Sequence, residues 1–158
     1  MKKLNVSDLE FEYDADDPDG FRSGLKRFGK RLGAASTGVS IYDLPPGQAI
    51  CPYHYEYAEE EWLVVLEGTP TLRTPSGEEA LSPWDVCVFA VGPDGAHAVR
   101  NDTSDPVRVM MFSEVKWPAA TVYPDSDKIG VFTRTDDTAL FPRSAKVEYF
   151  NGEPGTGR

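Results

Sequence analysis

Apolar and polar positions along the middle of this chain fall into short, separated runs. Val39, Ile41 and Leu44 stand among polar neighbours and stop at Pro45-Pro46-Gly47, which predicts a short strand closed by a turn. Tyr53 to Tyr57 reads Tyr-His-Tyr-Glu-Tyr. Period two predicts a strand with two unlike faces: His54 and Glu56 on one side, Tyr53, Tyr55 and Tyr57 on the other. Trp62 to Leu66 is a continuous apolar strand bounded by Gly68. Thr69 to Thr74 predicts another strand, Pro75-Ser76-Gly77-Glu78 a hairpin turn, and Glu79 to Leu81 the returning segment. Val86 to Val91 is again apolar, Ala96 to Asn101 is a short strand carrying His97, and Val107 to Phe112 is a final long strand. Short strands spaced by roughly 8–12 residues, with turn residues between them, predict an all-β barrel or sandwich.

The flanks read differently. Residues 1–36 are expected to form an arm outside the barrel of residues 37–116. Within the arm, Asp14 to Gly20 reads Asp-Ala-Asp-Asp-Pro-Asp-Gly. A calcium-binding EF-hand loop would need acids at alternate positions and a final glutamate. With Gly20 as the sixth residue, the first is Ala15 and the twelfth Lys26, so a solvated acidic linker is expected instead. Phe21 to Gly33 is basic and suited to docking on an acidic body, and its glycines at 24, 29 and 33 argue against a stable helix. From Trp117 onward the chain reads as irregular, with prolines at 118, 124 and 142. It also carries Val122, Tyr123, Ile129, Val131, Phe132, Leu140 and Phe141, which a free tail would not need. Residues 117–158 are therefore expected to pack on the barrel or on a second subunit.

Composition narrows the partners. The chain has 158 residues with 40% hydrophobic and 11% aromatic content, enough to bury roughly 70% of its unfolded surface without cross-links. Its formal net charge is −10, which repels phosphate backbones and anionic membranes, so neither nucleic acid nor membrane is an expected partner. The N-terminal lysines lead into no apolar signal core, and no apolar run approaches the roughly 20 residues of a spanning helix. A cytoplasmic protein is the expectation, with Cys51 and Cys87 as reduced, small apolar fillers. The Gly92-Pro93-Asp94-Gly95 loop precedes a strand rather than a helix, which excludes a phosphate-cradling loop.

The candidate chemistry centres on the only two histidines, His54 and His97. Gly47, His54, Glu61 and Gly68 resemble the first motif of the cupin superfamily: a glycine, two histidines one residue apart, a glutamate and a glycine. Asp85 to Asn101 resembles the second: a strand, a turn, a histidine and an asparagine four residues on, here His97 and Asn101. The likeness covers roughly residues 37–113. Glu-Glu-Glu-Trp-Leu-Val-Val-Leu-Glu-Gly and Val-Tyr-Pro-Asp-Ser-Asp-Lys-Ile-Gly-Val further resemble small single-domain bacterial cupins with a C-terminal extension. The chain departs from the pattern at three places. Glu56 stands at the second histidine position, Trp84 at the opening glycine of the second motif, and Ala90 at its proline.

The resemblance implies a double-stranded β-helix, a jelly-roll-like antiparallel barrel, that forms a homodimer and holds a small-molecule ligand inside. It also implies a divalent metal ion (Fe, Mn or Zn) on His54, Glu56, Glu61 and His97. Two carboxylates would neutralise such a cation. Without Glu56, two histidines and one carboxylate make the facial set of non-haem iron enzymes. Glu56 is then the candidate catalytic base, and Glu60 is the alternative to Glu61 if the register slips by one. Dioxygenation, isomerisation and lyase chemistry all remain open, as do a non-catalytic ligand- or metal-binding pocket and a metal-free structural cupin. Without a metal, Glu56 and Glu61 are like charges in one cavity, and one of them is expected to stay protonated. The tyrosine row is expected outside the cavity, Asn101 to support its loop by hydrogen bonds, and Trp84 and Phe89 to pack in the core or at its rim.

Overall fold

Alternation along β5 (Glu61–Glu67) defines the inside of the molecule. In the computed structural model, which describes residues 1–155, Leu63 and Val65 are fully buried while Trp62, Val64 and Leu66 on the opposite face are half-exposed. β5 pairs antiparallel with β10 (Val107–Glu114), which in turn pairs along its whole length with β3 (Thr37–Leu44). β8 (Val86–Phe89) closes one side of this sheet. Its other side is built by β1 (Glu12–Tyr13) and β2 (Gly24–Arg27), giving the order β1-β2-β3-β10-β5-β8. A three-stranded sheet faces it, made of β6 (Thr71–Thr74) between β7 (Gly77–Ala80) and β9 (Ala98–Arg100). Leu44, Leu63, Val65, Val107 and Val109 from the large sheet meet Leu72, Leu81 and Val99 from the small one. Each such side chain contributes about 1.5–3 kcal/mol by leaving water. The result is an antiparallel all-β barrel.

Gly68, which ends β5, turns the chain at φ +76°, and a Cβ built there would lie 2.5 Å from the Pro106 carbonyl oxygen. An L side chain at that backbone angle costs about 1–2 kcal/mol before any clash. Gly68→Ala is expected to destabilise the fold by about 2 kcal/mol or more, measured by denaturant unfolding. A loss under about half that value would mean the turn relaxes freely.

Both flanks are more ordered than their sequences indicate. The basic segment of the arm is a strand: β2 pairs with β3 from Gly24↔Asp43 to Arg27↔Ser40, so backbone pairing holds it there. The glycines permit a helix of only one turn, α1 (Gly29–Leu32), which ends at Gly33 with φ +94°. The acids Asp14, Asp16 and Asp19 are exposed, as a solvated linker requires.

The expectation of an irregular C-terminal region is overturned. It forms β11 (Ala119–Tyr123), β12 (Lys128–Phe132) and β13 (Ala139–Pro142), paired antiparallel and joined to β4 (Tyr55–Glu56). Its prolines sit before β11, in the turn after it and at the end of an outer strand, where a missing N–H costs no ladder bond. Trp84, expected in the core or at its rim, is 74% exposed at φ +76°, because it occupies the tight turn before β8. No helix among the described residues is long and apolar enough to cross a membrane.

Candidate metal centre

His54 and His97 meet across the barrel. Each backbone N–H donates to the other's carbonyl, at 3.1 and 2.8 Å, and the ring centroids lie 4.6 Å apart. This isolated bridge precedes β4 on one side and β9 on the other. Period two then turns Tyr55 away from the cavity. It is buried against Ala96 and Val122, with Tyr53 and Ile129 beside it. Tyr53 and Tyr55 thus pack on the C-terminal strands, and the row's separation from the ligand face follows the alternation.

The two imidazoles are held in matching orientations. His54 Nδ1 lies 3.0 Å from the Pro52 carbonyl oxygen, and His97 Nδ1 lies 3.0 Å from that of Gly95. A carbonyl only accepts, so each Nδ1 carries a proton, and Nε2 is the ring atom that each histidine can give to a metal once that nitrogen is deprotonated. Both Nε2 atoms point at one oxygen: Glu61 Oε2 is 3.6 Å from each. Glu61 Oε2 and His97 Nε2 are buried without a hydrogen-bond partner. Buried polar atoms are rarely left so. Donors about 2.1 Å from a common cation stand about 3.4 Å apart at tetrahedral angles, close to the separations here. The ligand atoms of His54, Glu61 and His97 all lie within 4.8 Å of one another, and these three residues fit a divalent ion.

The remaining carboxylates are sorted by what they touch. Glu61 faces Phe89 across β5 and β8 and shares the inner side with Leu63. Glu60 is exposed and accepts from Trp62 Nε1 at 2.9 Å, so the alternative register is set aside. Glu59 accepts from the Lys116 backbone N–H at 2.8 Å and from Ser113. Glu56 lies 4.0 Å from His54 Nε2 and stands outside the group of three. Thr121 Oγ1 lies 2.8 Å from both of its oxygens. Cys51 Sγ approaches the back of His54, 3.5 Å from Nδ1, and does not join the ligand atoms.

Charge follows this geometry. Burial raises the Glu56 carboxyl, Thr121 draws it down, the Glu61 charge adds to the rise, and the net shift is upward. Burial pushes the same way on Glu61, but the two histidines outweigh it and hold Glu61 below the ordinary value. Glu56 is therefore the member of the pair with the raised pKa. Burial also opposes a charged His54, yet the Cys51 sulfur and the Glu61 carboxylate hold its pKa well above the usual imidazole value. Burial and the His54 charge push His97 down to about 4.

Three contributors were not visible as site residues in the sequence. Phe89, expected in the core, stacks on the His97 ring at 3.6 Å and 7°. Tyr123 lies over His54 at 6.0 Å, and Thr121 holds Glu56. The last two reach the site because β11 pairs Thr121 with Glu56 and Val122 with Tyr55. The strand-favouring run Thr121-Val122-Tyr123 was the available signal, masked by the prolines around it. Asn101 touches no ligand atom and supports its loop, as expected.

Residues 40–113 match the family model of the Cupin domain. No curated protein sequence matches the chain. Among solved structures, a protein of Acidithiobacillus ferrooxidans provisionally named a sugar phosphate isomerase superposes with a TM-score of 0.82 at 20% identity, over 92% of this chain and 95% of that one. A sugar phosphate isomerase of the cupin superfamily from Silicibacter pomeroyi gives 0.80 at 22% identity, over 91% and 94%. A polyketide cyclase from Streptomyces resistomycificus gives 0.62 at 19% identity, over 75% and 83%.

Proposed function

Because residues 40–113 are a cupin domain, we propose that this protein holds a divalent metal on His54, Glu61 and His97 and acts on a small oxygenated molecule. The observation that carries the proposal is the convergence of two imidazole Nε2 atoms on a buried carboxylate oxygen, with Glu61 Oε2 and His97 Nε2 otherwise unpartnered among the described residues. When bound, the metal polarises a carbonyl or carboxylate of the substrate, or activates dioxygen. The chain's own residues favour proton transfer. Glu56 sits beside the trio with a raised carboxyl pKa, suited to taking a proton next to a carbonyl and returning it at the neighbouring carbon. Thr121 fixes its orientation, and Phe89 and Tyr123 shield the imidazoles from water. Isomerisation is the reading this favours, and it agrees with the activity for which two of the similar structures are named. A binding protein without turnover is the alternative.

The test is metal analysis of protein purified without chelator, followed by zinc and manganese titrations. About one ion per chain is expected; none in either experiment would remove the proposal. In the metal-free protein the raised pKa of His54 keeps a second proton on its Nε2 at neutral pH, whereas the lowered pKa of His97 leaves that ring neutral. Binding must expel the His54 proton, so affinity should rise about tenfold per pH unit between about pH 6 and 8. A flat profile would contradict that assignment. Glu56→Gln is expected to change metal affinity less than about tenfold, since Glu56 stands apart from the three donors. A loss as large as that of a ligand variant would make it the fourth ligand.

We also infer a homodimer through the outer face of the large sheet. Trp84, Val86 and Val88 are 74%, 59% and 51% exposed there, beside the stacked pair Trp62 and Phe112, and β8 is an unpaired edge. Such a patch is unusual on a monomer. Sedimentation should give a dimer for the parent and a monomer for Val88→Glu; a monomeric parent would refute this.

A further inference from the structure

The arm brings a basic residue to the same inner side as the metal ligands. Pairing sets Arg27 opposite Ser40 and Leu25 opposite Tyr42, Ser40 opposite Met111, Met111 opposite Leu63, and Ser113 opposite Glu61. Directly opposed residues share a sheet face, and Tyr42, Met111 and Leu63 all pack in the barrel core. By this register Arg27 stands on the concave side, three strands from β5, at the solvent-exposed end of β2. At about 4.8 Å per strand the two backbones are about 14 Å apart, a gap that the long Arg27 side chain narrows.

Arg27 opens onto a cavity of about 750 Å³ between the arm and the barrel, lined also by Tyr42 and Cys51. Its Cys51 wall backs onto the Nδ1 side of His54, while His54, Glu61 and His97 themselves do not line it. Two donors in it lack acceptors. Arg27 has no carboxylate within 4.0 Å among the described residues, whereas Lys26 beside it is paired with Glu12 at 2.6 Å. The Tyr42 hydroxyl has no hydrogen-bond partner among them either. A phenol is protonated at neutral pH, so Tyr42 is a donor there. Three carboxylates also belong to the lining, but none opposes Arg27. Glu12 is taken by Lys26, Asp14 accepts from the Asp16 N–H at 2.9 Å, and the half-buried Asp17 forms no ion pair with Arg27 among the described residues.

We propose that Arg27 and Tyr42 form an anion subsite, so that the substrate is a small molecule with an oxygenated metal-binding end and a phosphate or carboxylate at the other. The metal-binding end rests on the function proposed above; the anion subsite does not. A guanidinium fork and a phenol suit either anion. The β2 pairing that builds the subsite also explains why the arm is ordered.

The test is a chemical-shift titration of the full chain with inorganic phosphate and, separately, acetate, before and after zinc loading. Saturable shifts are expected at residues 25–27, 42 and 51 in both metal states. Arg27→Gln should weaken this binding at least tenfold, Arg27→Lys by about threefold, and Tyr42→Phe by an intermediate factor, with zinc content unchanged in Arg27→Gln. Tighter phosphate than acetate binding would assign a phosphorylated substrate, and the reverse a carboxylate. Equal affinity in parent and Arg27→Gln, no saturable shift with either anion, or binding that appears only with zinc and ignores Arg27 would each overturn the subsite. The metal-free arm keeps this result separate from failure of the metal proposal.

Discussion

Glu61→Ala is expected to lower zinc or manganese affinity by at least about 100-fold, and His97→Ala by a similar factor. Each removes one of three donors, and metal affinity depends steeply on donor number and on the hydrogen bonds that orient the donors. Among the described residues, Glu61 supplies the only carboxylate oxygen that both imidazoles approach at 3.6 Å. His97 is the more rigid ligand, clamped by the Gly95 carbonyl and the Phe89 ring. Glu60→Ala is the matched control, because Glu60 is exposed and bonds Trp62. It should bind metal like the parent. The check is competition titration against a chromophoric chelator; unaltered affinity in both Glu61→Ala and His97→Ala would mean that the ion sits elsewhere.

Asn101→Ala is expected to cost about 3 kcal/mol of stability. Asn101 is fully buried. Its amide donates to the Leu44 and Asp105 carbonyls, both at 2.8 Å, and its carbonyl accepts from the Thr103 N–H at 2.9 Å and hydroxyl at 2.7 Å. Truncation leaves the buried Leu44 carbonyl and the loop groups without partners, each costing about 1–3 kcal/mol less what water recovers at the exposed end. For a chain of this size that is a fall in Tm of about 6–12 °C. Thermal unfolding of metal-free protein reads it directly, and a shift below about 3 °C would show that the loop is held by other contacts.

The barrel and three of its key residues were legible in the sequence for a simple physical reason. Strands buried on one face must alternate, and the only two histidines fell on alternating positions at motif spacings. Tyr55 turning outward while His54 turns inward follows from period two alone. Glu56 was readable as a departure but not as a distance. Whether its carboxylate joins the trio depends on Thr121, 65 residues away in sequence, and no local pattern encodes that contact. The same limit hid β2. Its glycines and basic residues argue for loop, and only the open edge of β3 makes it a strand. Trp84 was misplaced because an apolar residue in a tight turn has no period to reveal which way it points. The C-terminal strands were obscured by prolines that proved to lie at their ends.

On this reading His54, Glu61 and His97 together hold a divalent cation. X-ray absorption fine structure of the zinc-loaded protein tests it most directly, because imidazole, carboxylate and thiolate ligands scatter differently and Cys51 lies only 3.5 Å from His54. Two imidazole nitrogens and at least one oxygen near 2.0–2.2 Å are expected, with no sulfur. A zinc–sulfur distance near 2.3 Å, or fewer than two imidazoles, would contradict it.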